Sequence, residues 1–420
     1  MIVKSFLLKQ DTIRQIAAQC GKGIVAVVRP EKQIENILRE AIRKTILEKK
    51  SAAEEIEQVR SYFRALSDSP AYQEKAAQII DSISAYLREG MYVMASKIAI
   101  QDYVMARCAR LCAEAVNDRV GGVLVDGTEL MLCHEDGRGV QHFDWIRSQE
   151  QIRARVAAEG SMVISGGYGL LDSGYVVRVG KDGSHLMASL IGATLKAESI
   201  VFYIEGKGIE GIPAMTYDEA AHFCASASHA PFASSAIWPA KNAEIPILVK
   251  DITDAAFEGT IISTGSAHKR DVIWDKDLTL VTVYGTGLLG RVGMSSSIFS
   301  CLAKEGVNVR FIAQTSSEYS ISFAVRTEDK ERTQNALQSL FRDNPLLPLD
   351  DVVVLNKEVG IVTVFGSRMR NLPGTSGQVF GALGSAGINI IASAQGGEEL
   401  SISLVVEEKD VEKAVSLLKN

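Results

Sequence analysis

Apolar and polar positions alternate along this chain in a pattern that occurs twice in its last third. Residues 306–325 read GVNVRFIAQTSSEYSISFAV, and residues 387–406 read GINIIASAQGGEELSISLVV. The match continues upstream at the same offset. Val281, Thr282, Val283, Tyr284 and Gly285 answer Val362, Thr363, Val364, Phe365 and Gly366, while Gly293, Phe299 and Leu302 answer Gly374, Phe380 and Leu383. Gly306, Asn308, Gln314, Glu318, Ser320 and Ser322 answer Gly387, Asn389, Gln395, Glu399, Ser401 and Ser403 without a gap. Such a repeat makes each copy one supersecondary module. In the first copy, 278–284 is a β-branched run ending at glycine, which predicts a strand. Residues 295–304 place Ile298, Phe299 and Leu302 on one helical face, and Gly306 ends that helix. Residues 307–313 predict a second strand. Ile321, Phe323 and Val325 alternate with serines in a third, and 328–341 is an amphipathic helix. The order βαββα plus one further strand is the ferredoxin-like plan. Two such sheets pairing edge to edge would protect their exposed strands.

Upstream the rhythm changes. Short apolar runs at 2–8, 23–28, 121–125, 162–165, 199–204 and 245–250 read as buried strands, and helical patterns fall at 11–20, 97–117, 184–195 and 217–227. From about 31 to 90 the text is charged and helical, with Ile34, Ile37, Leu38 and Ile42 at three- and four-residue spacing. It reads as a solvated helical excursion. Alternating strands and helices over 1–262 predict a three-layer α/β domain with a mainly parallel sheet, followed by two ferredoxin-like modules at 263–345 and 346–420.

Composition narrows the class. A 420-residue chain exceeds one ordinary core. A net charge of −6 gives no electrostatic reason to expect nucleic acid or an anionic membrane. No apolar run reaches the roughly 20 residues of a membrane span, and the N-terminus lacks a signal-peptide layout. Six scattered cysteines, without an accompanying histidine pattern, predict reduced cytoplasmic thiols and no metal site.

Over roughly 265–420 the repeat resembles the ACT domain, a small module that binds amino acids. The tandem pair and the text Ile312-Ala313-Gln314-Thr315-Ser316-Ser317-Glu318 resemble the effector-binding half of aspartate kinases. A free amino acid offers an ammonium and a carboxylate, so its site needs backbone amides at a helix start and a few polar side chains. The resemblance implies an effector site at the loop 287–293, with Leu288, and at Asn308, Gln314, Ser316, Ser317 and Glu318, answered by Asn389 and Gln395. The alternative is that these amides only tie off strand ends.

The first 262 residues also resemble the aspartate kinases, of the amino acid kinase fold. Lys4 stands where the family has a first-strand Lys-Phe-Gly-Gly. Ser165-Gly166-Gly167-Tyr168 resembles the glycine-bearing turn after a central strand, and Gly180-Lys181-Asp182-Gly183-Ser184-His185 resembles the Gly-Arg-Gly-Gly-Ser-Asp turn. Tyr217-Asp218-Glu219-Ala220 and the run from Ile245 to Lys250 follow in the family's order. The resemblance implies catalytic roles for Lys4 and Ser184. It implies nucleotide or phosphate contacts from Gly166, Gly167, Gly180, Lys181, Gly183, Glu205 and Lys250, with ATP and Mg2+ as cofactors if the site is active. Several positions depart from the pattern. Ser5-Phe6-Leu7-Leu8 lacks the glycines that let backbone approach phosphate. Met91-Tyr92 replaces a Gly-Glu, His185 replaces the acid closing the turn, and Glu205-Gly206-Lys207-Gly208 replaces a Thr-Asp-Val-Asp-Gly. Three readings follow. The first is an aspartate kinase homologue (ATP and L-aspartate to 4-phospho-L-aspartate) of low or lost activity, with threonine or lysine as effector and a homodimer formed through the ACT modules. The second is a non-catalytic amino-acid-sensing regulator or partner subunit. The third is a kinase for another carboxylate substrate.

Overall fold

The first strand sets the architecture. In the computed structural model, which describes every residue except 91–95, 137–140, 157–159, 181, 205–208, 210–211, 227–229, 255–257, 266–270, 286–291, 317–318, 343–352, 367–368, 370, 398 and 420, together with the side chains of 226 and 353–356, β1 (Ile2–Leu8) runs at the centre of a parallel sheet. Its run Val-Lys-Ser-Phe-Leu-Leu is buried on both faces, as a strand covered by helices on two sides must be. The chain then forms α1 (Ile13–Ala18), β2 (Ile24–Pro30), α2 (Lys32–Ile42), α3 (Ala53–Arg64), α4 (Pro70–Gly90), α5 (Lys97–Val120), β3 (Val123–Val125), β4 (Leu132–Glu135), β5 (Gln141–Phe143) and α6 (Trp145–Arg155). It continues with β6 (Ser161–Ser165), β7 (Tyr168–Leu171), β8 (Val176–Arg178), α7 (Gly183–Leu195), β9 (Ser199–Ile204), β10 (Ala214–Met215), α8 (Tyr217–Ser226), α9 (Trp238–Asn242), β11 (Ile247–Asp251) and β12 (Thr260–Ile262). Among the described residues the main sheet has the order β10-β12-β11-β9-β1-β2-β6-β3, parallel except where β12 meets β11. A smaller sheet, β5-β4-β7-β8, stands beside it.

The stretch 31–90 differs from its sequence reading. It is not a solvated excursion but one wall of the core. Ile34, Leu38, Ile42, Val59, Phe63, Ile80 and Ile83 pack with α5 against Phe6, Leu8, Val28 and Val201 on one face of the sheet. Charged residues are spread along all of these helices, yet the apolar stripe is continuous, and burial follows the stripe. The opposite face of β1 and β9 carries α7, whose Met187, Leu190 and Ile191 are fully buried.

The chain forms two compact units, residues 1–221 with 231–266, and residues 222–230 with 267–420. The second contains β13 (Asp271–Tyr284), α10 (Met294–Lys304), β14 (Phe311–Gln314), β15 (Ser320–Arg326), α11 (Lys330–Arg342), β16 (Val353–Phe365), α12 (Thr375–Ser385), β17 (Ala392–Gln395), β18 (Ser401–Glu407) and α13 (Val411–Lys419). Its strands make one antiparallel sheet, β14-β15-β13-β16-β18-β17, so the two modules do pair edge to edge. The pairing is also a sharing. Residues 278–284 of β13 pair with β15 and with the first half of β16, giving the first module its four strands. Residues 271–275 of β13 pair with 361–365 of β16, and so supply the second module's fourth strand from a point ahead of the first module. The register slips between Asp275 and Leu278, a bulge that keeps apolar residues on the same face in both halves. Helices α10 and α11 cover Val281, Val283, Ile321, Phe323 and Val325; α12 and α13 cover Val362, Val364, Ile402, Leu404 and Val406. On the helix-free face Leu278, Leu280, Phe311, Val359, Ile361 and Val405 form a third cluster, across which the edge strands β14 and β17 approach one another.

Candidate functional site

In the first unit the glycine turns predicted from sequence come together. Gly166 and Gly167 follow β6, and Gly166 N–H donates to the Val28 carbonyl at 2.9 Å. A Cβ on Gly166 would lie 2.7 Å from Val27 Cγ1 and 2.8 Å from Ser184 Cβ, and one on Gly183 would lie 2.8 Å from the Gly167 carbonyl oxygen. Gly167 has φ +99°, and Gly180 has φ +66°. Only glycine allows the turn after β6 to sit this tightly on the start of α7. Asp182, at φ 55°, precedes that helix without a side-chain cap and lies 3.6 Å from the Arg29 guanidinium. Lys181 falls outside the described residues.

Several buried polar atoms gather around this junction without a hydrogen-bond partner: Ser184 Oγ, both ring nitrogens of His185, Ser5 Oγ and Arg29 Nε. Ser5 is opposite Val27 and Phe202 in register, and the His185 ring lies 4.6 Å from that of Phe202. Burial, and then the Arg29 charge, hold the His185 imidazole well below its usual range, so the ring is neutral at pH 7. Arg29 was not singled out from the sequence. Its signal was a cation at the carboxyl end of a buried parallel strand, the edge where such sheets meet ligands.

Lys4 and Lys250 lie elsewhere. Register puts Lys4 beside Val201 and Lys250 beside Tyr203, so both project from the sheet face opposite Ser5. Lys4 Nζ donates to the Gln19 carbonyl at 2.9 Å and to Gln19 Oε1 at 3.0 Å, closing the end of α1. Burial, with Lys250 contributing, lowers its pKa. Lys4 and Ser184 are therefore on opposite faces of one sheet. At the carboxyl ends of β1, β9 and β11, Leu7, Lys9, Thr12, Tyr203 and Asp251 line a cavity of about 60 Å3. Small-molecule sites span about 300–1,000 Å3, so the described residues do not form a nucleotide pocket there. Glu205, Gly206, Lys207 and Gly208 follow β9 outside the described residues, as do Met91 and Tyr92. Among the described residues no group of three or more His, Cys, Asp or Glu side chains is arranged to hold a metal.

In the second unit, Gly293 and Gly374 open α10 and α12 at φ 88° and 90°. Asn308, Gln314 and Ser316, and likewise Asn389 and Gln395, are exposed. Each glutamine meets a serine in the first turn of its module's helix: Ser295 Oγ donates to Gln314 Oε1 at 3.4 Å, and Ser376 Oγ to Gln395 Oε1 at 3.3 Å. These serines were not marked as site residues, though the repeat offset relates them. The hydroxyls of Thr282 and Ser322 meet at 2.9 Å, as do those of Thr363 and Ser403. In the second module the Asn371 N–H donates to Glu399 Oε2 at 2.8 Å. Leu288, Ser317 and Glu318 fall outside the described residues.

A family model of the ACT domain matches residues 281–341 and 362–420. The chain is 27% identical over 317 residues to the chloroplastic bifunctional aspartokinase/homoserine dehydrogenase 1 of Zea mays, covering 69% of this chain and 34% of that protein. It is 30% identical over 289 residues to the aspartokinase of Geobacillus stearothermophilus, covering 63% of this chain and 66% of that one. The chain thus spans about a third of the length of its bifunctional relatives. E. coli aspartokinase III, solved with lysine and aspartate, superposes over 100% of this chain and 98% of its own, with a TM-score of 0.78 at 18% identity. With a parallel α/β unit followed by two ferredoxin-like modules in the same order, and with aspartokinases as its relatives in sequence and in fold, the chain belongs to the aspartokinase family and carries tandem ACT domains.

Proposed function

We propose that this chain is an aspartokinase homologue in which the ACT modules bind an amino acid while the kinase unit turns over ATP and L-aspartate weakly or not at all. The observation that carries this reading is the first strand. It continues as buried sheet through Phe6, Leu7 and Leu8, where a phosphate-binding strand would open into glycines, and its Lys4 is engaged by Gln19. Phosphoryl transfer needs backbone amides and a cation on the transferring group, with a metal to offset charge, and removing one such contact costs roughly 3–4 kcal/mol of transition-state stabilisation. The described residues do not fit ATP and Mg2+, and no step is assigned to them. An ATP- and aspartate-dependent hydroxamate assay tests the reading. Turnover near the enzyme median of about 10 per second would overturn it.

For the effector, threonine or lysine in the first module is the reading favoured by the sequence of its loop, where Thr315, Ser316 and Ser317 stand in place of the second module's Gly396, Gly397 and Glu398 and offer three more hydroxyls. A homodimer through the ACT modules is supported by apolar side chains that stand out from this unit, Val292, Leu372 and Phe380. Light scattering giving a monomer at micromolar concentration, with and without effector, would remove it. Calorimetric titration with ATP-Mg, aspartate, threonine and lysine separates an enzyme from a regulator: amino-acid binding without nucleotide binding favours the latter.

A further inference from the structure

One cavity lies away from both the glycine turns of the first unit and the ACT loops. It is in the helical wall of the first unit, where Thr45, Lys50, Ser51, Ala52, Ala53, Ile56, Ser84, Leu87 and Arg88 enclose about 410 Å3. That volume is within the range of small-molecule sites. Its chemistry is one-sided. Ala52, Ala53, Ile56 and Leu87 give an apolar lining, Ser51, Ser84 and Thr45 give hydroxyls, and both charged residues are cations. Lys50 has Glu48 at 3.1 Å, but Arg88 makes no ion pair with any described residue, and no carboxylate lines the space.

The surrounding backbone departs from regular helix at this cavity. Helix α2 passes into a π-helical turn, Arg43–Leu47, which carries Thr45 to the cavity wall. Such turns cost hydrogen-bond geometry and cluster at functional positions. The Thr45 hydroxyl bonds back to the Ala41 carbonyl at 2.8 Å, fixing the turn. Helix α3 begins at the lining, and Ala52 at its cap position has no side-chain acceptor for the first amides, so only Ser51 Oγ meets the Ala53 N–H, at 3.3 Å. The first turn of that helix carries Glu54 and Glu55, the latter paired with Lys44, so the cations offered to the cavity are Lys50 and Arg88.

We infer that this cavity is a binding site for an amphipathic organic anion, with an apolar body against Ile56 and Leu87 and a carboxylate or phosphate head at Lys50 and Arg88. It is independent of the proposed amino-acid site, whose residues lie in the other unit. Calorimetric titration of the full chain with octanoate, octanol and inorganic phosphate tests it. Saturable octanoate binding is expected, with octanol and phosphate each at least tenfold weaker, because each lacks one half of the recognition. The double variant Lys50→Gln/Arg88→Gln should weaken octanoate at least tenfold, since ion-assisted hydrogen bonds are about twice as strong as neutral ones. Ser84→Phe, which places a ring in the cavity, should weaken it at least tenfold. Both variants change solvent-facing or half-buried positions, and unaltered circular dichroism melts would show that they fold. No saturable octanoate binding would overturn the proposal. So would equal binding of octanol or phosphate, or unchanged affinity in folded variants.

Discussion

At the scale of single residues, the junction of the glycine turn with α7 carries the sharpest consequences. His185 is buried with neither ring nitrogen bonded, and its folded pKa is depressed. Between that depressed value and the unfolded value near 6.5, the unfolded chain binds the proton and the folded chain does not, so stability falls as pH drops below about 6.5 and is fully present above it. Urea midpoints should therefore fall from pH 7.5 to pH 5.5, and the fall should shrink in His185→Phe; an unchanged fall would assign it to other groups. Gly166→Ala should destabilise by about 1–3 kcal/mol, the cost of overpacking, because its Cβ would meet Val27 and Ser184 under 3 Å. A larger urea midpoint in Gly166→Ala would show that the turn yields freely. In the ACT loops, a hydrogen bond to a charged ligand is worth about 1.5–3 kcal/mol. Gln314→Ala should accordingly weaken effector binding roughly ten- to a hundredfold, and Gln395→Ala less. Equal losses would mean two equivalent sites; no loss would mean that each glutamine serves only its Ser295 or Ser376 partner.

At the scale of elements, the bulge in β13 joins the two modules. Asp275 sits there almost fully buried, with Arg326 Nη1 2.9 Å from one carboxylate oxygen and Arg310 Nη2 3.1 Å from the other. One strand thus carries, within five residues, the last strand of one module and the entry to the other. Removing the carboxylate would leave two guanidinium groups facing each other in a poorly solvated place, and breaking such a pair costs about 3–5 kcal/mol. Both arginines are partly exposed, so Asp275→Ala should fall at the lower end, about 3 kcal/mol, read as a lowered urea midpoint for the second unit. A loss below 1 kcal/mol would mean that water replaces the carboxylate without cost. The strands and helices themselves follow the sequence closely: the helix at 294–304 and the alternation at 320–326 are where periodicity put them. Strand β14 is shorter than the predicted 307–313, because residues 307–310 make no ladder of their own. Strand β13 is longer than 278–284, because its first half finds a partner 90 residues away in β16.

At the scale of the whole chain, shared strands make the second unit cooperative. A chain cut before β16 would deprive the first module of its fourth strand, and one beginning at 278 would deprive the second. Removing residues 271–275 takes a strand from the second module alone, and because β16 runs through both modules the first should be destabilised with it; a first module whose thermal transition is unchanged would show that the modules are independent.

The sequence by itself determined the repeat, most helices and strands, and the presence of glycine turns at 166–167 and 180–183, because these rest on local periodicity and on glycine-bearing text; that the two turns meet at Ser184 was decided by the fold. Only the tertiary structure decided which face each side chain serves. Lys4 and Ser184 share a family pattern, yet a strand turns successive side chains to opposite sides, and the register with β9 sends Lys4 away from α7. The charged stretch 31–90 became core for the same reason, since burial depends on a stripe meeting another surface and not on the charge of the segment as a whole. The exchange of strands between the ACT modules was hidden from the sequence because pairing between distant segments such as β13 and β16 leaves no local signature.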